Sequence, residues 1–376
     1  MADGSSIEWT DATWNPVTGC SVVSPGCTNC YAMRLAGTRL RHHPSRQGLT
    51  RDSKAGPVWT GEVRLNEDWL TQPLRWTRPR TIFVCAHGDL FHESVPDAWI
   101  DQVFAVMAAG PSHTFQVLTK RSSRMREFLS DPDLPRRVAR AWCSVGRNLP
   151  SGHSGWSKRC WNAAGAAYTP RVWPLPNVWL GVSAEDQRRA DERVPDLLAT
   201  PAAIRFVSAE PLLGAIDFSP FMWPVHGWWK GPHRSYAEAK AAGAECGLKR
   251  QALVWAGATF LDWIVVGGES GPGARPMHPE WARSIRDQCA AAGVAFHFKQ
   301  WGTWLDERQA TLQQCGPGPE MFDVEGRPRG DRWHFYDPED VIGGAMIRVG
   351  KASAGRLLDG IEHNEMPGRH PVARAA

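Results

Sequence analysis

A chain of 376 residues can bury one barrel-sized core or two ordinary ones. Its 42% apolar and 22% charged content is that of a globular protein, and no apolar run approaches the roughly 18 residues that span a bilayer. The net charge of +4 permits a nucleic-acid partner without requiring one, and nine cysteines behind an N-terminus with no export pattern set the expected location as a reducing cytoplasm.

Thr13-Trp14-Asn15-Pro16-Val17 reads as a short strand that runs into a loop holding Cys20, Cys27 and Cys30, spaced C-x6-C-x2-C. The loop ends at Cys30, after which Tyr31 to Ala36 reads as a helix. Residues 42–65 read as an irregular excursion, and a short helix is expected between Trp69 and Trp76.

A rhythm then sets in. Thr81 to Ala86 is an apolar run ending in His87-Gly88-Asp89, with Cys85 expected in mid-strand as a small core residue. Ile100, Val103, Phe104 and Met107 share one helical face. Thr114 to Leu118 leads to Thr119-Lys120-Arg121, Val178 to Val182 to Ser183-Ala184-Glu185, and Ile204 to Val207 to Ser208-Ala209-Glu210. Leu261 to Val266 leads to Gly267-Gly268-Glu269-Ser270, and Val294 to Phe298 to Lys299-Gln300-Trp301. Helices are expected over residues 186–199 and 279–292.

Continuous apolar strands alternating with helices indicate a parallel sheet covered on both faces, so the fold class is α/β, a full or partial TIM-type (β/α) barrel. Polar residues gather at the C-terminal ends of its strands, where barrel enzymes place their chemistry. We read the chain as one domain, 1–376, with long inserts at about 130–175 and 219–258 and a C-terminal extension from about 331. Within the extension, Gly350 to Gly360 reads as a helix and Pro367 to Ala376 as a frayed tail.

Three thiolates in one short loop suit an iron–sulfur cluster with one iron left open; a zinc knuckle completed by a distant histidine or by Cys85 is the alternative, ahead of a disulfide. His42, His43, His92 and His226 are expected to be solvated or hydrogen-bonded rather than metal ligands. The twenty tryptophans are mostly core and pocket wall, with a few as stacking platforms for bases.

The cysteine loop resembles that of the radical S-adenosylmethionine superfamily, and the whole chain looks like its phage and prophage three-cysteine branch. The strings that carry the likeness are Ile7 to Pro16, Gly26-Cys27-Thr28-Asn29-Cys30-Tyr31-Ala32, Asp89 to Glu93, Leu118 to Arg121, Gly267 to Met277 and Lys299 to Gly302. The resemblance implies a barrel of radical type in which Cys20, Cys27 and Cys30 hold a 4Fe-4S cluster and S-adenosylmethionine binds the open iron. It implies a 5′-deoxyadenosyl radical, fed by a reductase or flavodoxin-type electron donor, that abstracts hydrogen from the substrate. Gly88 and Asp89 stand where relatives bind the cofactor's ammonium, with an N-cap as the equal alternative for Asp89. Gly267, Gly268 and Glu269 are assigned to substrate or adenosine, against a structural turn. Ser183 and Glu185 are candidates for ribose hydroxyls, with Ser208 beside Glu210 the equivalent pair.

Lys120, Glu210 and Lys299 are the catalytic candidates. The lysines, with Arg121, bind either rim carboxylates, closing a ring of salt bridges, or a substrate anion. The substrate implied is a nucleobase in DNA or a modified nucleotide, with an amino-acid adduct of thymidine in phage DNA as the specific expectation. The competing readings are a zinc-bearing nucleic-acid-binding protein, a photoproduct-type repair lyase, and a metal-free barrel enzyme using Glu185, Glu210 and Lys299.

Overall fold

The computed structural model describes residues 4–5, 7–145, 161–164, 167–170, 172–222, 259–310, 332–334 and 345–368. The expectations for Cys160, for Trp223, His226, Trp228, Trp229 and His233 with the helix near 236–245, and for most of the terminal tail lie outside the described residues.

Seven strands form one sheet: β1 Ala12–Trp14, β2 Thr81–Val84, β3 Thr114–Thr119, β4 Val178–Ser183, β5 Ile204–Ala209, β6 Trp263–Gly267 and β7 Ala295–Gln300. They lie side by side in chain order. The fold is mixed α/β with a parallel sheet, consistent with a partial (β/α) barrel. A doubly wound sheet would reverse its strand order at a switch point, and none occurs here. Both β4 and β6 are buried at every residue, which is why their sequences run apolar without alternation.

The longer helices among the described residues are α1 Tyr31–Gly37, α2 Asp97–Ala109, α3 Ser122–Leu129, α4 Leu134–Val145, α5 Gln187–Ala199 and α6 Pro279–Ala292. Ile100, Val103, Phe104 and Met107 of α2 are buried as their spacing predicts. The sequence also fixes both ends of α6. His278 caps it by accepting from the Glu280 amide, Pro279 occupies the first turn, and Gly293 closes it at φ 66°.

Two expectations are corrected, the helix over Gly350 to Gly360 and the irregular excursion at 42–65. Gly350 to Gly360 is not one helix. Only Lys351–Ala354 is helical, and Leu357–Leu358 pairs with Ile361–Glu362 around Asp359 (φ 54°) and Gly360 (φ 78°). An Asp-Gly pair with both residues at positive φ makes a tight hairpin, and that local preference beats the helical run before it. The first insert opens with α4 and carries two antiparallel strands, Trp161–Ala164 and Ala167–Pro170. The excursion at 42–65 is likewise ordered by pairs Thr50–Arg51 with Val58–Trp59 and Val17–Thr18 with Arg64–Leu65.

Contacts divide the chain into two compact units. One holds Met1–Val182 and Arg193–Phe206, the other Ser183–Glu192 and Val207–Gly368. No helix among the described residues is long and apolar enough to cross a membrane.

Candidate metal centre

In the first unit, Val17 and Thr18 leave β1 towards Gly19, whose φ of 97° turns the chain into the cysteine loop. Gly19 bridges Gly88 and donates to the His87 carbonyl at 3.2 Å. A Cβ on Gly88 would stand 3.0 Å from the Val17 oxygen, so this glycine is explained by close backbone approach. The loop then makes a single 3-10 turn, Pro25–Cys27. Cys27 donates to Ser24 O at 2.9 Å and Cys30 to Cys27 O at 3.3 Å. Cys30 precedes α1, and with Cys20 it packs on a small core of Ala32, Met33, Ala36, Leu49 and Trp59.

All three loop thiols are free and half-buried. Burial, with Asp89 nearby, pushes the Cys20 thiol up to about 12 against the pull of Arg121, and Cys30 and Cys27 add to the rise. Burial also raises Cys30, opposed by the Met33 amide, while the charge of Cys27 adds to the rise. The three sulfurs therefore lie within each other's electrostatic reach.

Arg121 is the polar centre of the loop. Its NH1 donates to Cys20 Sγ at 3.4 Å and to Asp89 Oδ2 at 3.2 Å, its NH2 to Ser21 Oγ at 2.6 Å, and its Nε to Glu93 Oε1 at 3.2 Å. Burial works against this guanidinium, but Asp89, Cys20 and Glu93 more than offset it and hold its pKa above the ordinary arginine value. His92 completes the ring. Its Nδ1 accepts from the Ser94 amide at 3.1 Å, which leaves the proton on Nε2, 3.0 Å from Ser21 Oγ.

Asp89 differs from expectation. Oδ1 accepts from the Phe91 amide (3.0 Å) and Thr119 Oγ1 (2.7 Å); Oδ2 accepts from the Lys120 amide (3.1 Å) and Arg121. Four donors saturate the carboxylate, so no lone pair is left here for a cofactor ammonium. Nor does it cap the next helix, since α2 begins at Asp97. Asp89 positions Arg121. Cys85 is corrected too: β2 stops at Val84, and Cys85 stands past its end at φ 57°, a region costly for a residue with a Cβ. Lys120 is an electrostatic neighbour of Cys30, and its ammonium makes no hydrogen bond or ion pair with a described residue.

In the second unit, Lys299 Nζ pairs with Glu210 Oε1 at 2.9 Å, and Ser208 Oγ donates to Glu210 Oε2 at 3.1 Å. These three candidates come together around a half-buried carboxylate that the lysine neutralises. Glu269 is bidentate to Arg275, at 2.9 and 2.6 Å. A Cβ on Gly268 would fall 1.9 Å from the Trp301 oxygen, and one on Gly267 2.7 Å from Glu210 Oε1. The Gly267-Gly268-Glu269 turn is therefore accounted for by packing and by Arg275, the structural alternative. Ser183 and Glu185 are buried at the end of β4, where Leu213 donates to the Glu185 carbonyl at 2.7 Å.

The family model described as a protein of unknown function (DUF5131) matches residues 4–367. The chain belongs to the DUF5131 family. No curated protein and no solved structure matches it.

The residues of this DUF5131 protein fit a cluster on the chemistry of their donor set. Thiols held back from ionising by burial release their protons when a metal takes the sulfur, and a guanidinium on Cys20 offsets negative charge there. Among the described residues no group of three or more His, Cys, Asp or Glu side chains closes on a single ion. Sequence reading missed Arg121 as the partner of Cys20. The only signal was its place after a strand, beside Lys120. A separate cavity of about 620 Å3, lined by Glu67, Asp68, Arg75 and Gln102 among others, involves none of these residues.

Proposed function

We propose that this DUF5131 protein is a radical S-adenosylmethionine enzyme of the cytoplasm, with Cys20, Cys27 and Cys30 as the ligands of a 4Fe-4S cluster. The supporting observation is the set of three free thiols on one loop after the first sheet strand, with Arg121 bonded to the first of them. When bound, the cluster and S-adenosylmethionine together supply hydrogen abstraction by a 5′-deoxyadenosyl radical.

The chain's own residues supply position and charge. Asp89 and Glu93 hold Arg121, which steadies Ser21 and Cys20. Lys120 offers an uncommitted ammonium beside Cys30 for a carboxylate or phosphate. In the second unit, Lys299 and Glu210 share a proton-bearing contact that is the best candidate for moving a proton during rearrangement. The substrate we propose is a nucleobase, specifically an amino-acid adduct of thymidine in DNA or a nucleotide, with a flavodoxin-type reductase as electron donor. This substrate class rests on resemblance to the phage branch.

The test is anaerobic purification followed by incubation with S-adenosylmethionine, dithionite and modified DNA. About four irons per chain, 5′-deoxyadenosine and a changed nucleoside by mass spectrometry are expected. A colourless protein with one zinc would instead make it a nucleic-acid-binding protein. Turnover that survives loss of all three cysteines would make it a metal-free barrel enzyme.

A further inference from the structure

Residues 31–65 hold seven arginines and lysines against two acids, Asp52 and Glu62, a net of +5. The whole chain carries +4, so everything else sums to −1. Of these cations Arg46 is buried against His87 and Arg64 is bonded to the Pro44 and Gln47 carbonyls, which leaves Arg39, Arg51 and Lys54, with the paired Arg41, as the exposed charges of α1 and the segment packed on it. Helix α1 follows Cys30 and packs through Met33 and Ala36 on Leu49 and Trp59 of the paired segment behind it. The approach is close: a Cβ on Gly37 would lie 2.1 Å from Pro57 Cβ. Arg41, in the turn after α1, reaches Asp52 at 3.1 Å and thereby ties that turn to Arg51 and Lys54. The side chains of Arg39, Arg51 and Lys54 are exposed and make no hydrogen bond or ion pair with a described residue.

Unpaired exposed cations repel one another and contribute nothing to the fold, so their clustering beside the thiols calls for a polyanion. Two of these three exposed cations are arginines, whose planar fork matches a phosphate in two bonds. Tyr31 follows Cys30 at the start of α1, is 49% exposed, and has its hydroxyl anchored on the Ala86 carbonyl at 2.6 Å. The ring meets His87 edge-on at 5.9 Å between centroids, and a half-exposed aromatic ring held at its hydroxyl is a platform for a base. The acidic pair Glu67 and Asp68 lies outside the segment and lines the separate cavity.

We propose that the exposed face of α1 and the following paired segment, with Arg39, Arg51 and Lys54 as its contacts, binds the phosphodiester backbone of a nucleic acid strand. The assignment deepens the nucleobase reading above and rests on it. It places the strand's backbone against residues 34–54, with its bases towards Tyr31 and the thiols.

The test is fluorescence anisotropy of a short labelled DNA duplex, and of its single strand, with the full chain after chelation and again after iron reconstitution. Affinity is read at several salt concentrations. The variant Arg39→Gln/Arg51→Gln/Lys54→Gln is expected to lower the slope of log affinity against log salt by about three, one per cation removed. The control Arg136→Gln/Arg140→Gln/Arg188→Gln removes exposed cations already paired with Asp133 and Glu192, and is expected to leave the slope unchanged. Melting curves matching the unaltered chain show that the substituted chains fold. An unchanged slope in the first variant, an equal drop in the control, or binding of an acidic flavodoxin without binding of DNA overturns the proposal. Iron is counted separately. Iron-free protein with the expected slope change keeps this surface and removes the radical reading, and iron-loaded protein without it does the reverse.

Discussion

Arg121 reaches across 101 residues of chain to place its NH1 3.4 Å from the sulfur of Cys20. The same nitrogen is 3.2 Å from Asp89 Oδ2, and both side chains are almost fully buried. Removing the guanidinium leaves a buried carboxylate without its counter-charge. We expect Arg121→Met to lower stability by about 3 kcal/mol in urea unfolding. Arg121→Met with Asp89→Asn is expected to recover part of that loss. Strict additivity of the two changes would mean that the pair is not coupled.

The cysteines divide into two groups. Alanine at Cys20, Cys27 or Cys30 is expected to remove the iron and the brown colour after reconstitution. Cys85→Ala is expected to keep both, because Cys85 is fully buried past the end of its own strand. Iron analysis of the four variants checks this. Retention of full iron in any of the first three removes that residue from the ligand set.

His87 carries a pH dependence whose sign is fixed by its surroundings. Burial, with Arg46 donating to Nδ1 at 2.8 Å, lowers its pKa from the usual 6.5 to about 4. The folded chain thus keeps the ring neutral where the unfolded chain protonates it. Its contribution is fully present above pH 6.5 and is lost as pH falls towards 4, by up to about 3 kcal/mol. Denaturant midpoints between those values should fall with pH, and His87→Asn should flatten that limb.

Lys299 and Glu210 are predicted to act as a unit. Glu210→Gln keeps an oxygen for Ser208 but loses the ion pair, at a cost of about 1.5 to 3 kcal/mol. If the pair moves a proton, Lys299→Met should reduce turnover while leaving iron content untouched. A variant that loses both together would assign the pair to the fold instead.

Gly268→Ala should be among the most damaging single-atom additions, since its Cβ would fall 1.9 Å from a main-chain oxygen that cannot swing away. We expect a loss beyond the usual 1 to 3 kcal/mol of overpacking, read as insoluble expression or a large drop in melting temperature. Gly350→Ala, with open space around it but φ at 84°, should cost only about 1 kcal/mol.

The strand–helix alternation was legible because strands buried on both faces leave uninterrupted apolar runs, as in Val178–Ser183 and Trp263–Gly267. The cysteine loop and the buried face of α2 were legible for the same reason: both are local patterns. Arg121 was not, because nothing in Leu118-Thr119-Lys120-Arg121 says which of two neighbouring cations turns towards a loop about a hundred residues upstream. The φ of Cys85 leaves no trace in a short apolar run. The Asp359-Gly360 hairpin did leave one, and the helix-like stretch before it obscured the signal. Gly267 and Gly268 pointed to close approach correctly, but the approaching group proved to be the chain's own backbone.

The saturated carboxylate of Asp89 also sets a timetable. Three of its four donors come from Thr119, Lys120 and Arg121, and none of these three exists when the cysteine loop leaves the ribosome. Metal delivered to the nascent segment meets three unsupported thiols. Delivered after the first three strands have paired, it meets a loop already clamped from behind. Under the proposed function, maturation is therefore a late step that follows translation of at least the first 121 residues, and a shorter fragment should fail to retain iron however it is supplied.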